Sequence, residues 1–221
     1  MELTFTYNQS NAILRVLELH VPSLGYLSES FLHRRLPDVC NKLHVNSASE
    51  IEQRIIADST YIDKILALLV VPTTEMFRDV QVWKILLETL LPKLSSHKPC
   101  NVWFPDSSSG EEIFSFCILL KELQLTNYFT IYATSSSLQT INTIKKGIFS
   151  LKQEQIFRTN YKNVGLSQNF EMYYSQSLNS IYMNPSLLQN VTFIHSKSLI
   201  HAMPKNIHLV IVGSGPELER L

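Results

Sequence analysis

The sequence lacks a surplus of charge of either sign, because 19 basic residues are balanced by 19 acidic ones. General binding to nucleic acid or to an anionic membrane needs a basic surface, so this balance argues against both. No apolar run is long enough for a transmembrane helix, and the N-terminus has no hydrophobic signal-peptide core. We therefore predict a globular cytoplasmic protein with no nucleic-acid partner and no membrane insertion.

Cysteine is also scarce. Cys40, Cys100 and Cys117 are odd in number, irregularly spaced and mostly set among apolar residues. This pattern is typical of reduced, buried thiols. No group of cysteines and histidines has the spacing of metal ligands, so no metal site is predicted.

The helices predicted in the first 98 residues contain no glycine. Apolar residues recur there at helical spacing, which predicts an all-helical domain. Ser10 is the predicted cap of the first helix, and Pro37 is predicted to interrupt or bend the second. Asp79 is predicted to cap the last helix, and a polar linker to the next domain is predicted at 95–99.

From residue 101 the pattern changes to strands that alternate with helices. Strands are predicted at four apolar runs: Asn101–Phe104, Phe129–Thr134, Val191–Ile194 and His208–Val212. Helices are predicted at 111–123 and 137–146, which favours a parallel sheet with helices on both faces. The polar and aromatic segments Phe170–Tyr174 and Ser180–Met183 predict a small antiparallel hairpin.

A loop of small residues, 105–110, joins the first predicted strand to the helix that begins at Glu111. Free backbone N–H groups at such a helix start favour an anionic or polar ligand at the carboxyl end of the strand. The alternative interpretation is that serine and glycine only cap the helix and permit a tight turn.

Three segments carry a resemblance to a known family: Thr73-Thr74-Glu75-Met76-Phe77-Arg78-Asp79, Val102 to Glu112, and Tyr132-Ala133-Thr134-Ser135-Ser136-Ser137. In order and spacing they resemble the CheR family, the methyltransferases that esterify glutamates on bacterial chemoreceptors using S-adenosylmethionine (SAM). The first two segments follow the family patterns T-x-F-F-R-D and V-W-S with a loop ending in S-T-G-E-E. The third segment departs from the pattern A-[ST]-D-I-D.

The resemblance implies a domain organisation as well as an α/β fold class. It implies an N-terminal all-α domain at 1–98 and a SAM-methyltransferase-like, Rossmann-like domain at 99–221, with an inserted antiparallel β subdomain at about 155–188. The C-terminal strands of the usual sheet are missing from the sequence after 208–212. That strand is therefore predicted to be an exposed sheet edge through which the chain self-associates.

The resemblance also assigns roles to individual residues. Thr74 and Arg78 match positions beside the cofactor, and Arg78 is the residue expected to orient the incoming carboxylate, a catalytic role. Glu111 and Glu112 match paired glutamates, one of which contacts the methionine amine of SAM. The alternative for this pair is a favourable interaction with the helix dipole. A glutamate substrate is already ionised at neutral pH, so positioning rather than a general base is required.

Several positions depart from the family pattern. Ser135 stands where the family has an aspartate that binds both ribose hydroxyls, and Ser198 stands in place of an asparagine. Met76 replaces an aromatic residue, and Asp106 replaces a small one, where its carboxylate either attracts the sulfonium or crowds the pocket. A lost charged hydrogen bond costs about 1.5–3 kcal/mol, so SAM binding is predicted to be weak or lost.

Two functions follow from this resemblance. The chain is either a CheR-type methyltransferase with substitute cofactor contacts, or a degenerate member that acts as a protein-interaction module in chemotaxis-like signalling. The concentration of substitutions at cofactor positions favours the second. The expected partner is a chemoreceptor-like or other signalling protein, since Arg34 and Arg35 resemble the family's paired arginines. An unrelated α/β domain is the remaining alternative.

Overall fold

The computed structural model describes residues 6–21, 24, 29–69, 74–96 and 99–212. The motif residue Thr73 lies outside these described residues. The α/β fold class, with helices, a parallel sheet and a small antiparallel sheet, is confirmed. The limits proposed for the two domains stay a prediction.

The described residues before 70 form four helices, α1 (Tyr7–His20), α2 (Glu29–Leu43), α3 (Ala48–Ala57) and α4 (Tyr61–Leu69). Their apolar faces meet in one hydrophobic core, which includes Ile13, Leu17, Leu36, Ile51, Ile62 and Ile65. The core forms because apolar side chains recur at helical spacing on each element.

The predicted cap of α1 was wrong, and Pro37 does not interrupt α2. Thr6, not Ser10, caps α1, because Thr6 and Gln9 form a reciprocal capping box and Ser10 is buried inside the helix. Helix α2 continues through Pro37 to Leu43. An interior proline costs about 3 kcal/mol, but burial of neighbours such as Leu36 stabilises by about 1.5–3 kcal/mol per side chain, so packing outweighs it.

Residues 80–94 form one continuous helical segment that contains a π-helical turn and packs in a second hydrophobic core. It comprises α5 (Val80–Ile85), a wider π-helical turn (Leu86–Leu90) and α6 (Leu91–Leu94). The apolar side chains of this segment pack with the sheet described next, not with α1 to α4. The chain before residue 99 therefore contributes to both cores.

The main sheet contains four described strands: β1 (Cys100–Phe104), β2 (Phe129–Ser135), β6 (Val191–His195) and β7 (Ile207–Val210). All neighbours are parallel, in the order β6-β2-β1-β7. The helices α7 (Glu111–Glu122), α8 (Leu138–Lys146) and α10 (Leu199–Ala202) follow β1, β2 and β6. In the described part of the sheet, β7 occupies one edge.

A second, antiparallel sheet joins β3 (Ile148–Ser150), β5 (Ser180–Met183) and β4 (Tyr174–Ser177) in that order. The predicted first hairpin strand was placed too early, because Phe170–Tyr173 is a 3-10 helix. Helix α9 (Leu151–Val164) precedes this 3-10 helix. The hydroxyls of Tyr161 on α9 and of Tyr173 both donate to Glu122 Oε1 on α7. These bonds attach α9 and the 3-10 helix that precedes β4 to the end of α7.

The three cysteines are buried and free, as predicted. Burial raises the pKa of the Cys117 thiol to about 12, because the apolar surroundings disfavour the thiolate. No helix in the described ranges is both long and apolar enough to cross a bilayer.

Candidate functional site

The loop 105–110 lies at the carboxyl end of β1, between the neighbouring strands β2 and β7. From β1 the chain continues to β2 and then β6 on one side of the sheet, and it returns to add β7 on the other side of β1. The strand order therefore reverses between β1 and β7, which is the topological switch point of the sheet. Ligands of open α/β sheets bind in the crevice at this point. The backbone N–H of Ser107 donates to the Thr134 carbonyl at 2.7 Å, so the loop is tied to the end of β2.

Gly110 ends this loop and is required for close packing. Its φ of +97° lies in the left-handed region, and a Cβ at this position would lie 2.8 Å from Cγ2 of Ile144 on α8. Any side chain there would be strained and would also displace the Ile144 side chain. Glycine thus allows helix α7 to start close against the neighbouring helix.

Glu111 begins α7 as a buried carboxylate, with an exposed fraction of 2%. The Thr74 and Ser109 hydroxyls lie 3.0 Å apart beside it. Burial raises the pKa of Glu111, and hydrogen bonding from Ser109 and Thr74 opposes the rise. Its Oε2 is buried and has no hydrogen-bond partner among the described residues. A buried acceptor without a donor is costly, so this oxygen is suited to a ligand that brings a donor.

Glu112 follows and is less buried, yet its pKa is raised to about 7. Desolvation is the largest cause, and the charge of Glu111 adds to it. Arg78 lowers this pKa by electrostatic attraction, so the Arg78 side chain faces the start of α7. The structure thus brings Thr74, Arg78 and the two glutamates to one place.

Residues 74–79 reach this place in a strained conformation. Phe77 and Asp79 both have a φ of 56°, a left-handed backbone that costs about 1–3 kcal/mol in a non-glycine residue. Asp79 is the N-cap residue of α5, as predicted, but its side chain makes no cap hydrogen bond. Strained backbone persists where surrounding contacts fix it, and such positions cluster at functional sites.

Three contacts fix this strained segment. The N–H of Phe77 donates to Ser115 Oγ at 2.9 Å, and Ser115 Oγ donates to the Glu111 carbonyl at 2.7 Å. Asn160 on α9 donates to the Met76 carbonyl at 3.1 Å. The Trp83 indole donates to the Arg78 carbonyl at 2.6 Å. The backbone on both sides of the strained residues is therefore held from α5, α7 and α9.

Ser135 and Ser198 lie further along the same carboxyl edge. Ser135 is the last residue of β2 and is 4% exposed; its Oγ accepts from the Ser137 N–H at 3.4 Å. The Ser196 N–H donates to the Ser135 carbonyl at 3.1 Å, which links the ends of β2 and β6. Ser198 then precedes α10, so it is one strand further from β1 than Ser135 is.

Sequence reasoning missed Ser115 and Asn160. Ser115 lies inside an apolar helical run, and Asn160 lies 84 residues beyond Met76, the residue that it contacts. The only local signal for Ser115 was a polar residue on a buried helix face. Met76 is fully buried, whereas Asp106 is exposed at the start of the loop. Within the described residues, no cluster of potential metal ligands occurs.

A parallel sheet with a small-residue loop and an acidic helix start defines a Rossmann-like α/β protein. A family profile described as the CheR methyltransferase, SAM binding domain, matches residues 72–212. This match covers more than half of the chain, and the chain belongs to the CheR methyltransferase family.

Individual relatives agree with this assignment. A Pseudomonas putida protein named Cher3, assigned provisionally to the methyltransferases, is 30% identical over 166 residues, which is 75% of this chain and 61% of that protein. Chemotaxis protein methyltransferase 1 of Vibrio cholerae is 26% identical over 134 residues, or 57% of this chain and 49% of that protein. The chain thus spans about half to three fifths of the length of these relatives.

Replacing Ser115 with alanine should release the strained segment. The substitution leaves the buried Phe77 N–H without an acceptor, so we expect a loss of about 1–3 kcal/mol in the free energy of unfolding, measured with urea. Thr159→Ala is the control, because Thr159 makes the same bond to a carbonyl four residues back on an exposed face. Equal losses in the two variants would contradict the bridging role of Ser115.

Glu112 should make stability depend on pH. Its folded pKa of about 7 lies above the ordinary 4.5, so stability falls as pH rises from about 4.5 to about 7. Glu112→Gln removes this penalty, and we expect it to stabilise the protein by about 1–3 kcal/mol at pH 8 and by little at pH 4.5. Urea unfolding of this variant and of the exposed control Glu88→Gln checks the difference, which must be absent in the control.

Proposed function

We propose that this chain is a SAM-dependent methyl-transfer domain with a weakened cofactor pocket, and that its substrates are glutamate carboxylates of a chemoreceptor-like protein. The observation that carries the proposal is the buried oxygen of Glu111, which accepts from no residue that the structure describes, beside a strained segment that presents Arg78. A site retained only as a scaffold has no need for either feature, since each costs stability.

The residues at the start of α7 fit the cationic end of SAM. An ammonium group carries three hydrogen-bond donors and no acceptor. It therefore supplies the donor that Glu111 Oε2 does not find among the residues described. The charge of an ammonium also offsets the repulsion between Glu111 and Glu112. When bound, SAM supplies an electrophilic methyl group on a sulfonium centre.

Arg78 is suited to hold the methyl acceptor. Its planar guanidinium binds a carboxylate through two parallel hydrogen bonds, and its backbone is fixed by the Trp83 indole. A substrate glutamate needs no base, because its ordinary pKa is about 4.3. The contribution of the protein is to align this carboxylate and exclude water, which is how positioning lowers the barrier.

The second candidate function is a non-catalytic interaction module. The observation that favours it is Ser135, which offers no carboxylate at the end of β2 where a ribose would lie. The Arg35 side chain is engaged within the protein, because it donates to the Leu68 carbonyl at 3.1 Å and forms an ion pair with Asp38. Arg34 is exposed, and we propose that it is the member of the pair that contacts a partner.

Calorimetric titration with SAM at pH 7.5 separates these functions. We expect binding with a dissociation constant well above about 1 µM, because the Ser135 position lacks a charged hydrogen bond. Arg78→Ala should lower methyl transfer to a glutamate-rich peptide far more than it lowers SAM affinity. The exposed Arg15→Ala serves as the control. Absence of binding would favour the interaction module, and a micromolar constant would contradict the weakened pocket.

Self-association through residues 208–212 is the remaining part of the proposal. Strand β7 pairs with β1 on one side, and Val210 and Val212 are 48% and 61% exposed. Light scattering should show concentration-dependent association that Val210→Lys reduces, because a charged edge strand resists pairing. Val82→Lys, at an exposed helix position, is the control. A monomer at every concentration tested would rule this interface out.

A further inference from the structure

Asp63 of α4 approaches the carboxyl edge of the main sheet from the helical core. The Ser137 hydroxyl, two residues after β2, donates to the Asp63 backbone carbonyl at 3.2 Å. The Asp63 carboxylate lies on the β6 side of this contact, since its Oδ1 is 3.9 Å from Nε2 of His195. His195 is the residue that pairs in register with Ser135. A carboxylate from another part of the chain is thus placed beside the end of β2.

The Oδ1 atom of Asp63 is buried and accepts no hydrogen bond from any described residue. The His195 ring does not supply one, because its Nε2 lies 3.2 Å from the Ser136 carbonyl oxygen. A carbonyl only accepts, so Nε2 must carry the proton and direct it to Ser136. The Asp63 side chain as a whole keeps 15% of its surface exposed, so it lies near the protein surface and not deep in the core.

A role in starting the helix does not account for Asp63. Asp58 already serves that purpose, since its Oδ1 accepts from the Thr60 N–H at 2.9 Å and its carboxylate pairs with Lys64. Asp58 is satisfied and exposed, whereas Asp63 is mostly buried and its Oδ1 accepts from no residue in the described part of the chain. The hydrogen-bonding capacity of Asp63 is therefore not used in helix capping.

We propose that Asp63 accepts a hydrogen bond from a ribose hydroxyl of the bound nucleoside and replaces in part the carboxylate contact that Ser135 lacks. In open α/β sheets that bind nucleoside cofactors, an acidic side chain at the end of the second strand takes this role. Here the acid comes from helix α4, so the nucleoside contacts both hydrophobic cores. This inference rests on the proposed function, because it concerns the same cofactor site.

The test is calorimetric binding of S-adenosylhomocysteine and of its 2′,3′-dideoxyribose analogue. Asp63→Asn keeps the shape of the side chain and removes its charge, and Asp58→Asn is the matched control. We expect Asp63→Asn to weaken binding of S-adenosylhomocysteine about tenfold to hundredfold and to leave binding of the analogue unchanged. The Asp58→Asn variant should bind both ligands as the parent does.

A second variant controls for an indirect effect of Asp63→Asn on the structure of the site. Ser135→Asp should restore binding in the Asp63→Asn background by about tenfold or more, and should improve the parent by less, since two carboxylates at one ribose repel each other. Equal gains in both backgrounds would overturn the inference.

The outcomes separate this inference from the proposed function. If the parent and Asp63→Asn bind S-adenosylhomocysteine equally well, the inference alone is overturned. Stronger binding by Asp63→Asn than by the parent overturns it too, because Asp63 would then block the pocket. A parent and variants that all fail to bind overturn the proposed function together with the inference.

Discussion

The hydroxyl of Ser115 joins the two segments on which the candidate site depends. It accepts from the Phe77 N–H and donates to the Glu111 carbonyl, so one side chain fixes the strained segment against the start of α7. Without this bridge, the Phe77 N–H has no acceptor. The backbone of Phe77, which has a positive φ, then relaxes toward a less strained conformation. The relative positions of Arg78 and Glu111 then change together.

The electrostatics of the site explain why a cationic ligand suits it. Burial disfavours the charged forms of Glu111 and Glu112, and Arg78 only partly offsets this for Glu112. A bound cation stabilises both carboxylates and lowers their pKa values, so binding near pH 7 releases protons from Glu112. An anionic ligand at the same helix start meets repulsion instead, although the backbone N–H groups there favour anions in general.

Local patterns predicted the strands, and tertiary contacts decided the rest. The four strands of the main sheet and helix α8 follow from short-range spacing, which a sequence shows directly. Pro37 does not interrupt α2, and Phe170–Tyr173 is a 3-10 helix and not a strand, because packing of distant residues outweighs a local preference. Asp79 is the N-cap residue of α5 as predicted, but its backbone is left-handed and its side chain makes no cap hydrogen bond, which local sequence does not reveal.

The candidate site shows the same division. The loop 105–110 and the acidic start of α7 were predictable, because a strand, small residues and a helix occur in succession. The contacts of Asn160 and Ser115 were not, since nothing in a single sequence reports which residues meet across 84 or 38 positions. Assigning Ser135 from the resemblance identified a missing charge but not what compensates for it.

Cofactor binding and the arrangement of the two hydrophobic cores are linked if the carboxylate at the ribose comes from α4. The α4 backbone is held to the sheet by the Ser137 hydroxyl, a neutral hydrogen bond that contributes only about 0.5–1.5 kcal/mol. A ligand that bridges Asp63 and Glu111 adds contacts on both sides of this junction, and each contact strengthens the other by fixing the same geometry. The affinity for the nucleoside then depends on how well α4 is packed in its own core, and substitutions at buried positions such as Ile62 or Ile65 act on the cofactor without touching it.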